Sequence, residues 1–134
     1  MRKELTRTKQ ALSNESIQRI IDTTAYGVLS LNGDDGYLYT VPLSYVYTGG
    51  AVYFHGSPRG YKSECFQRTN KTSFSIVGQS QVVPTVRANN FQSVLIWEGF
   101  TSSPTLQKNS PLCVHLLKST AAAFPIMKRK FSIP

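Results

Sequence analysis

The feature that most restricts this chain is the spacing of its turn signals. Asn32-Gly33-Asp34-Asp35-Gly36 and Thr48-Gly49-Gly50 are dense in the residues that tight turns require. Between them, Tyr37 to Tyr47 is rich in Tyr, Val and Thr, residues that favour strands. Val28 to Leu31 precedes the first turn and Ala51 to His55 follows the second, which predicts three strands in a meander. Parallel strands need a crossover of a dozen or more residues, and these connections are too short for that. Pro42 lies inside the middle segment and cannot donate to a central ladder, so it marks an edge, a bulge or a break.

Helical signals flank the strands. Ser13 or Asn14 caps a short helix with Ile17, Ile20 and Ile21 on one face, and Gly27 is expected to end that segment. Gly56 to Gly60 reads as a loop. Tyr61 to Arg68 reads as a second short helix with Tyr61, Cys65 and Phe66 on its apolar side. Lys71 to Val77 alternates as a half-buried strand, Phe74 and Ile76 facing one way and Ser73 and Ser75 the other. A strand over Val82 to Val86, interrupted by Pro84, and an apolar strand over Phe91 to Trp97 complete the pattern. The expected class is mostly β with flanking helices, built as a barrel.

Composition narrows the function classes. With 134 residues the chain has room for one core, and 40% hydrophobic against 16% charged residues excludes a disordered chain. No apolar run approaches a membrane span, and the polar N-terminus lacks a secretory pattern, so a cytoplasmic protein without a membrane partner is expected. Cys65 and Cys113 show no metal-ligand spacing and fit unpaired thiols in a reducing compartment, so no metal is expected. The net charge is +8, but half of the excess follows Trp97, and the basic residues form no stripe interleaved with aromatics. A phosphate-bearing small ligand accounts for it as well as nucleic acid does, and nucleic acid is not expected as a partner.

Six segments in order carry a resemblance: Tyr26 to Leu31, Tyr39 to Tyr45, Val52 to Gly56, Gly60 to Lys62, Thr69 to Phe74 and Phe91 to Trp97. Together they resemble the nitroimidazole-resistance and pyridoxamine-phosphate-oxidase-like branches of the flavin split-barrel superfamily. The resemblance implies a six-stranded split barrel over residues 13–97, acting as a homodimer with FMN in clefts between subunits. It implies an oxidoreductase that passes electrons from a reduced donor to a small substrate. A non-catalytic flavin or haem binding module is the alternative.

The same resemblance implies the site. Lys62, Ser57 and Ser44 suit a flavin phosphate, which needs a cation and hydroxyl or amide donors. Val41-Pro42-Leu43, read as a kink, exposes backbone groups to the ring, and Gly56 follows His55 into the loop. His55 matches the position where nitroimidazole reductases place a histidine near the ring, and it is the candidate catalytic residue. Gln92 and Ser93 are carried over as contacts to the partner's flavin. Each residue has a plainer reading. His55 is also an ordinary end of an alternating strand, Lys62 a solvated helix charge, Pro42 a terminator of pairing, and Trp97 a core or interface residue. Ser44 stands where the family often has Asn. The Arg-rich strand of the true oxidase is missing near Val41, which argues against that enzyme itself.

After Trp97 the resemblance stops, and residues 98–134 read as a divergent tail. The family continues with a Gly-Arg-aliphatic strand, a turn containing Asp-Pro and an amphipathic helix opening with Glu and Lys. A reading-frame slip accounts for the change. Joining the last base of each codon to the first two of the next gives Gly from Trp97-Glu98 and Arg or Gly from Glu98-Gly99. The same shift gives sets containing Asp and Pro from Pro104-Thr105-Leu106, then Glu or Lys from Gln107-Lys108-Asn109. Loss of one G at the Trp97 codon produces it; a genuinely divergent tail is the other reading. The expected cost is an unpaired edge beside Phe91 to Trp97 and an inactive or poorly folding product, with Ala121 to Phe131 at most adding a short helix. Sequencing the gene beside close relatives is expected to show an uninterrupted family tail in the shifted frame. A family tail in neither frame leaves the divergent tail standing.

Overall fold

A computed structural model describes residues 11–57, 59–69, 71–86, 88–103, 113–118, 122–124 and 129–130. It opens with helix α1 (Asn14–Thr23), and Ser13 is the N-cap, its hydroxyl accepting from the Ser16 amide at 3.2 Å. Ile17, Ile20 and Ile21 are buried, and α1 packs on the sheet. The helix stops at Thr23, and Gly27 is not its end but the second residue of strand β1 (Tyr26–Asn32). Then come β2 (Leu38–Ser44), β3 (Val46–Thr48), β4 (Ala51–Gly56), helix α2 (Tyr61–Arg68), β5 (Lys71–Val83), β6 (Ala88–Ser103), β7 (Cys113–Lys118), β8 (Ala122–Phe124) and β9 (Arg129–Lys130).

The sheet order is β2-β1-β5-β6-β7-β4-β3, with β8 and β9 also on β6. Laid flat, seven strands would separate β2 from β3 by about 29 Å, at about 4.8 Å per neighbour. Yet Ser44 ends β2 and Val46 begins β3, so a single residue, Tyr45, joins the two outermost strands. Two residues of chain reach only about 7 Å. The sheet must therefore curl until its edges meet, which makes it a barrel. Among the described residues no ladder joins β2 to β3, so the barrel stays split along that seam.

The core fills the inside of the curl. Register places Val41 opposite Leu29, Leu29 opposite Phe74 and Phe74 opposite Ile96, one continuous row across four strands. Ile76 and Val94 form the next pair, and Val52, Phe54 and Cys65 close the cluster. The buried Thr72 hydroxyl donates to the Ser30 carbonyl at 2.9 Å, so the row carries no unsatisfied hydroxyl there.

Several expectations change. Tyr37 to Tyr47 is not one strand, and the expected meander is cut at Tyr45, because the Tyr45 side chain turns into the core while the chain crosses from one edge to the other. Its hydroxyl donates to the Ile21 carbonyl at 2.7 Å, and its ring meets Phe74 edge-on at 5.4 Å. Of the three readings of Pro42, the structure has the edge: β2 is an outermost strand, in register with β1 from Leu38 to Ser44 with no bulge or break. β5 runs beyond Val77 through a register shift between Val77 and Ser80, and Pro84–Val86 is a 3-10 turn rather than strand. β6 is longer than Phe91 to Trp97 at both ends. Its edge is not bare, since Ser93 to Leu95 pair with Phe124 to Ala122 and Phe100 to Ser103 pair with β7. The segment read as a short helix over Ala121 to Phe131 instead supplies strands β8 and β9.

Burial pushes the Tyr45 phenol up to about 12 from its ordinary 10, helped by the negative charge of Asp22. Its contribution is therefore complete below pH 10. It declines as pH climbs from 10 towards 12, where the unfolded chain gives up the proton first. Tyr45→Phe is expected to lower stability at neutral pH by about 1 kcal/mol, the usual worth of one hydrogen bond. It is also expected to flatten the alkaline fall in stability, both read by urea unfolding; an unchanged alkaline slope would contradict the assignment.

Candidate functional site

Alternation on the two seam strands decides which groups are presented. On β2, Val41 and Leu43 turn inward and pack against the core, while Pro42 and Ser44 face out. Tyr45 points in and Val46 out. On β4, Val52 and Phe54 are buried and His55 is exposed. Val46 lies opposite Tyr53, so the two outward rows meet. The result is an open hollow of about 350 Å³ lined by Ser44, Tyr45, Val46, Tyr53, Phe54 and His55. Because β2 is an edge strand, it also turns unpaired backbone groups towards the seam. The sequence placed Val41, Pro42 and Leu43 on a kink. They lie instead, with Ser44, on an edge strand in register with β1, side chains on alternate faces and backbone groups turned alternately to β1 and to the open side.

Beyond β4, Gly56 and Ser57 lead into α2. The Ser57 hydroxyl accepts from the Arg59 amide at 3.1 Å, and its carbonyl accepts from the Ser63 hydroxyl at 2.9 Å. Gly60 is the N-cap with φ of 122°, a region that only glycine enters readily, and no side chain caps the helix. The first backbone bond within α2 runs from Glu64 N–H to the Gly60 carbonyl, which leaves the amides before it facing out of the helix end. Lys62, in that first turn, lies with its ammonium 5.9 Å from the centroid of the Phe54 ring. Phe54 is also among the residues that line the seam hollow, so the same residue borders the hollow and lies under the cation. Electrostatics and donor count both favour an anion at an uncapped helix end that carries a lysine.

Gln92 and Ser93 are not in this group. Gln92 lines a larger cavity of about 660 Å³ with Arg19, Thr23, Tyr26 and Gln79, and Ser93 pairs with Val77 on the outward side of β6. Within one chain the predicted residues thus form two sets, one at the seam and α2, the other on β6.

Sequence reading missed five contributors, of which Tyr45 and Phe54 line the hollow from the inward side. Tyr53 and Val46 line the hollow, and only strand parity across the break at Tyr45 reveals them. Asp34, read as a turn residue alone, bonds to Tyr61 and Arg68 at the two ends of α2.

A profile of the family described as pyridoxamine 5'-phosphate oxidase matches residues 13–97, ending where the sequence resemblance ends. No curated protein matches the chain. Among solved structures, a candidate 5-nitroimidazole antibiotic resistance protein from Bacteroides thetaiotaomicron aligns with TM-score 0.66 at 16% identity, over 81% of this chain and 80% of that one. A FAD-binding protein from Mesorhizobium loti gives 0.64 at 17%, over 81% and 91%. The heme storage protein HutZ from Vibrio cholerae gives 0.65 at 7%, over 84% and 94%. At such identities these likenesses show the split-barrel fold. No described helix is long and apolar enough to cross a membrane.

Cys65 is the one buried residue of α2, so its thiol reports whether the helix stays docked. Gly60→Ala forces a residue with a Cβ into the strained region, at a cost of about 1–3 kcal/mol. It is expected to speed labelling of Cys65 by a thiol reagent, followed by peptide mass spectrometry; unchanged labelling would show that Gly60 does not hold the helix.

Proposed function

The chain belongs to the pyridoxamine 5'-phosphate oxidase family, and on that premise we propose that it is an FMN-binding oxidoreductase that passes electrons from a reduced donor to a small substrate. The observation that carries the reading is Phe54, which joins the seam hollow to Lys62 at the open end of α2. A flat apolar ring next to a phosphate needs that combination of a largely apolar shelf and a cationic donor cluster.

When bound, FMN supplies the redox chemistry. Lys62 and the first-turn amides of α2 hold the phosphate, with the hydroxyls of Ser57 and Ser44 in support. Gly56, without a side chain, lets the loop approach the ligand closely. The free edge of β2 from Val41 through Pro42 and Leu43 to Ser44 offers backbone donors and acceptors to the ring. His55, exposed beside the hollow, holds or moves a proton at its imidazole where the substrate sits. Reduction of a nitro group suits the site better than oxidation of a pyridoxine phosphate, because β2 carries no arginine for the second phosphate.

The two separate sets of residues support a homodimer in which the partner's Gln92 and the partner's Ser93 complete the cleft. The surface supports the same reading. In a chain of net charge +8, residues 26–32, 38–44, 72–78 and 91–97 contain no charged residue, so the outer face of β2-β1-β5-β6 is uncharged there. Leu38 and Val77 are exposed on it. Depletion of charge is what marks the core of an interface.

The likeness to a heme storage protein favours one second reading, a non-catalytic flavin or haem carrier. One set of spectra separates the readings. The purified dimer is expected to show flavin absorbance, to bleach with a reduced donor and to recover colour with a nitroaromatic. A Soret band, or bound flavin that no donor bleaches, supports the carrier. Lys62→Ala is expected to weaken FMN binding about tenfold or more, the loss of one charge-assisted bond. His55→Ala is expected to keep the affinity and slow the recovery. A chain that ignores added FMN would sink the proposal.

A further inference from the structure

Helix α2 presents the candidate phosphate site and meets the core through Cys65 and the partly buried Phe66, both in its second half. Cys65 is its one buried residue, and no side chain caps its start. Asp34, in the turn between β1 and β2, is bonded to both of its ends. The Asp34 amide donates to the Tyr61 hydroxyl at 3.1 Å, and that hydroxyl donates to the Asp34 carboxylate. The other carboxylate oxygen pairs with the Arg68 guanidinium at 3.4 Å. Tyr61 is the first residue of α2 and Arg68 the last, so one carboxylate spans the helix.

The surroundings are shaped for this contact. The Tyr61 ring sits edge-on to Tyr39 at 5.1 Å, and the Arg68 guanidinium lies 5.7 Å from the Tyr61 centroid. A Cβ at Gly33 would meet the Tyr61 hydroxyl at 2.9 Å and the Tyr37 carbonyl at 2.5 Å, so the turn admits the phenol only because residue 33 has none. The bond from Tyr61 holds the Asp34 carboxyl below its usual range, its own amide and Arg68 adding to the effect, and the same bond raises the Tyr61 phenol.

We infer that Asp34 is a positioning residue for cofactor binding: a clasp that fixes α2 against the β1–β2 turn and so sets Lys62 and the open helix end in place for the phosphate. The inference rests on the FMN reading above. Asp34 touches the helix rather than the ligand, so its effect must pass through the residues that do.

The test is an equilibrium titration of the native dimer with FMN and, separately, riboflavin, followed by flavin fluorescence. Asp34→Ala is expected to weaken FMN about fivefold, the worth of one exposed hydrogen bond and a weak ion pair, and to leave riboflavin unchanged. Asp34→Asn, which keeps an acceptor for Tyr61, is expected to fall between. In the Lys62→Ala background, Asp34→Ala is expected to add less than about twofold, because coupled residues do not add. The clasp is overturned if Asp34→Ala leaves FMN affinity intact, weakens riboflavin equally, or costs as much without Lys62 as with it. If Lys62→Ala itself binds FMN like the native chain, the assignment of Lys62 to the phosphate fails while FMN binding stands, and the clasp is judged by Cys65 labelling alone. Faster labelling in Asp34→Ala then supports it, and unchanged labelling overturns it.

Discussion

One residue, Tyr45, connects the two outermost strands of a seven-strand path, and the rest of the structure follows from that short tether. The sheet has to curl, and the curl has to leave a line where β2 and β3 face each other without pairing. The tether is held from inside, by a bond to the last turn of α1 and by the Phe74 ring, so the seam has a fixed shape instead of a floppy gap. Residues on either side are then sorted by parity, apolar ones into the barrel and Ser44, Val46, Tyr53 and His55 outwards.

A seam of this kind is useful because it exposes backbone polar groups that a closed barrel would consume. An edge strand normally invites association, and here it lies beside a largely apolar hollow and the uncapped end of α2. The two features belong to different levels of structure, one from sheet topology and one from a glycine at a helix start. Phe54 unites them, and the Asp34 contacts tie the helix to the strand pair that forms the other side of the barrel.

Much of this was readable from residues. The helix over Asn14 to Thr23 follows from three isoleucines and a serine cap, and the β1–β2 and β3–β4 turns from their glycines. Inward Phe74 and Ile76 follow from strict alternation. The break at Tyr45 was hidden because Tyr, Val and Thr favour strand on both sides of it, so no local signal marks the change of edge. The extension of β5 was hidden by the irregularity between Val77 and Ser80, which destroys the alternation that reveals a strand. His55 and Lys62 were singled out through family resemblance, not by any local signal. Tyr53 and Asp34 lay beyond reach, since their roles depend on which strands and helix ends meet in space.

The most direct test of the central claim is a map of backbone amide shifts in the native chain as FMN is added. The account predicts that changes concentrate on the free edge of β2, on Val46 and His55, and from Gly56 to Lys62, with a second set at Gln92 and Ser93 from the partner's cleft. Absent changes, or changes that spare the seam and the start of α2, would contradict it.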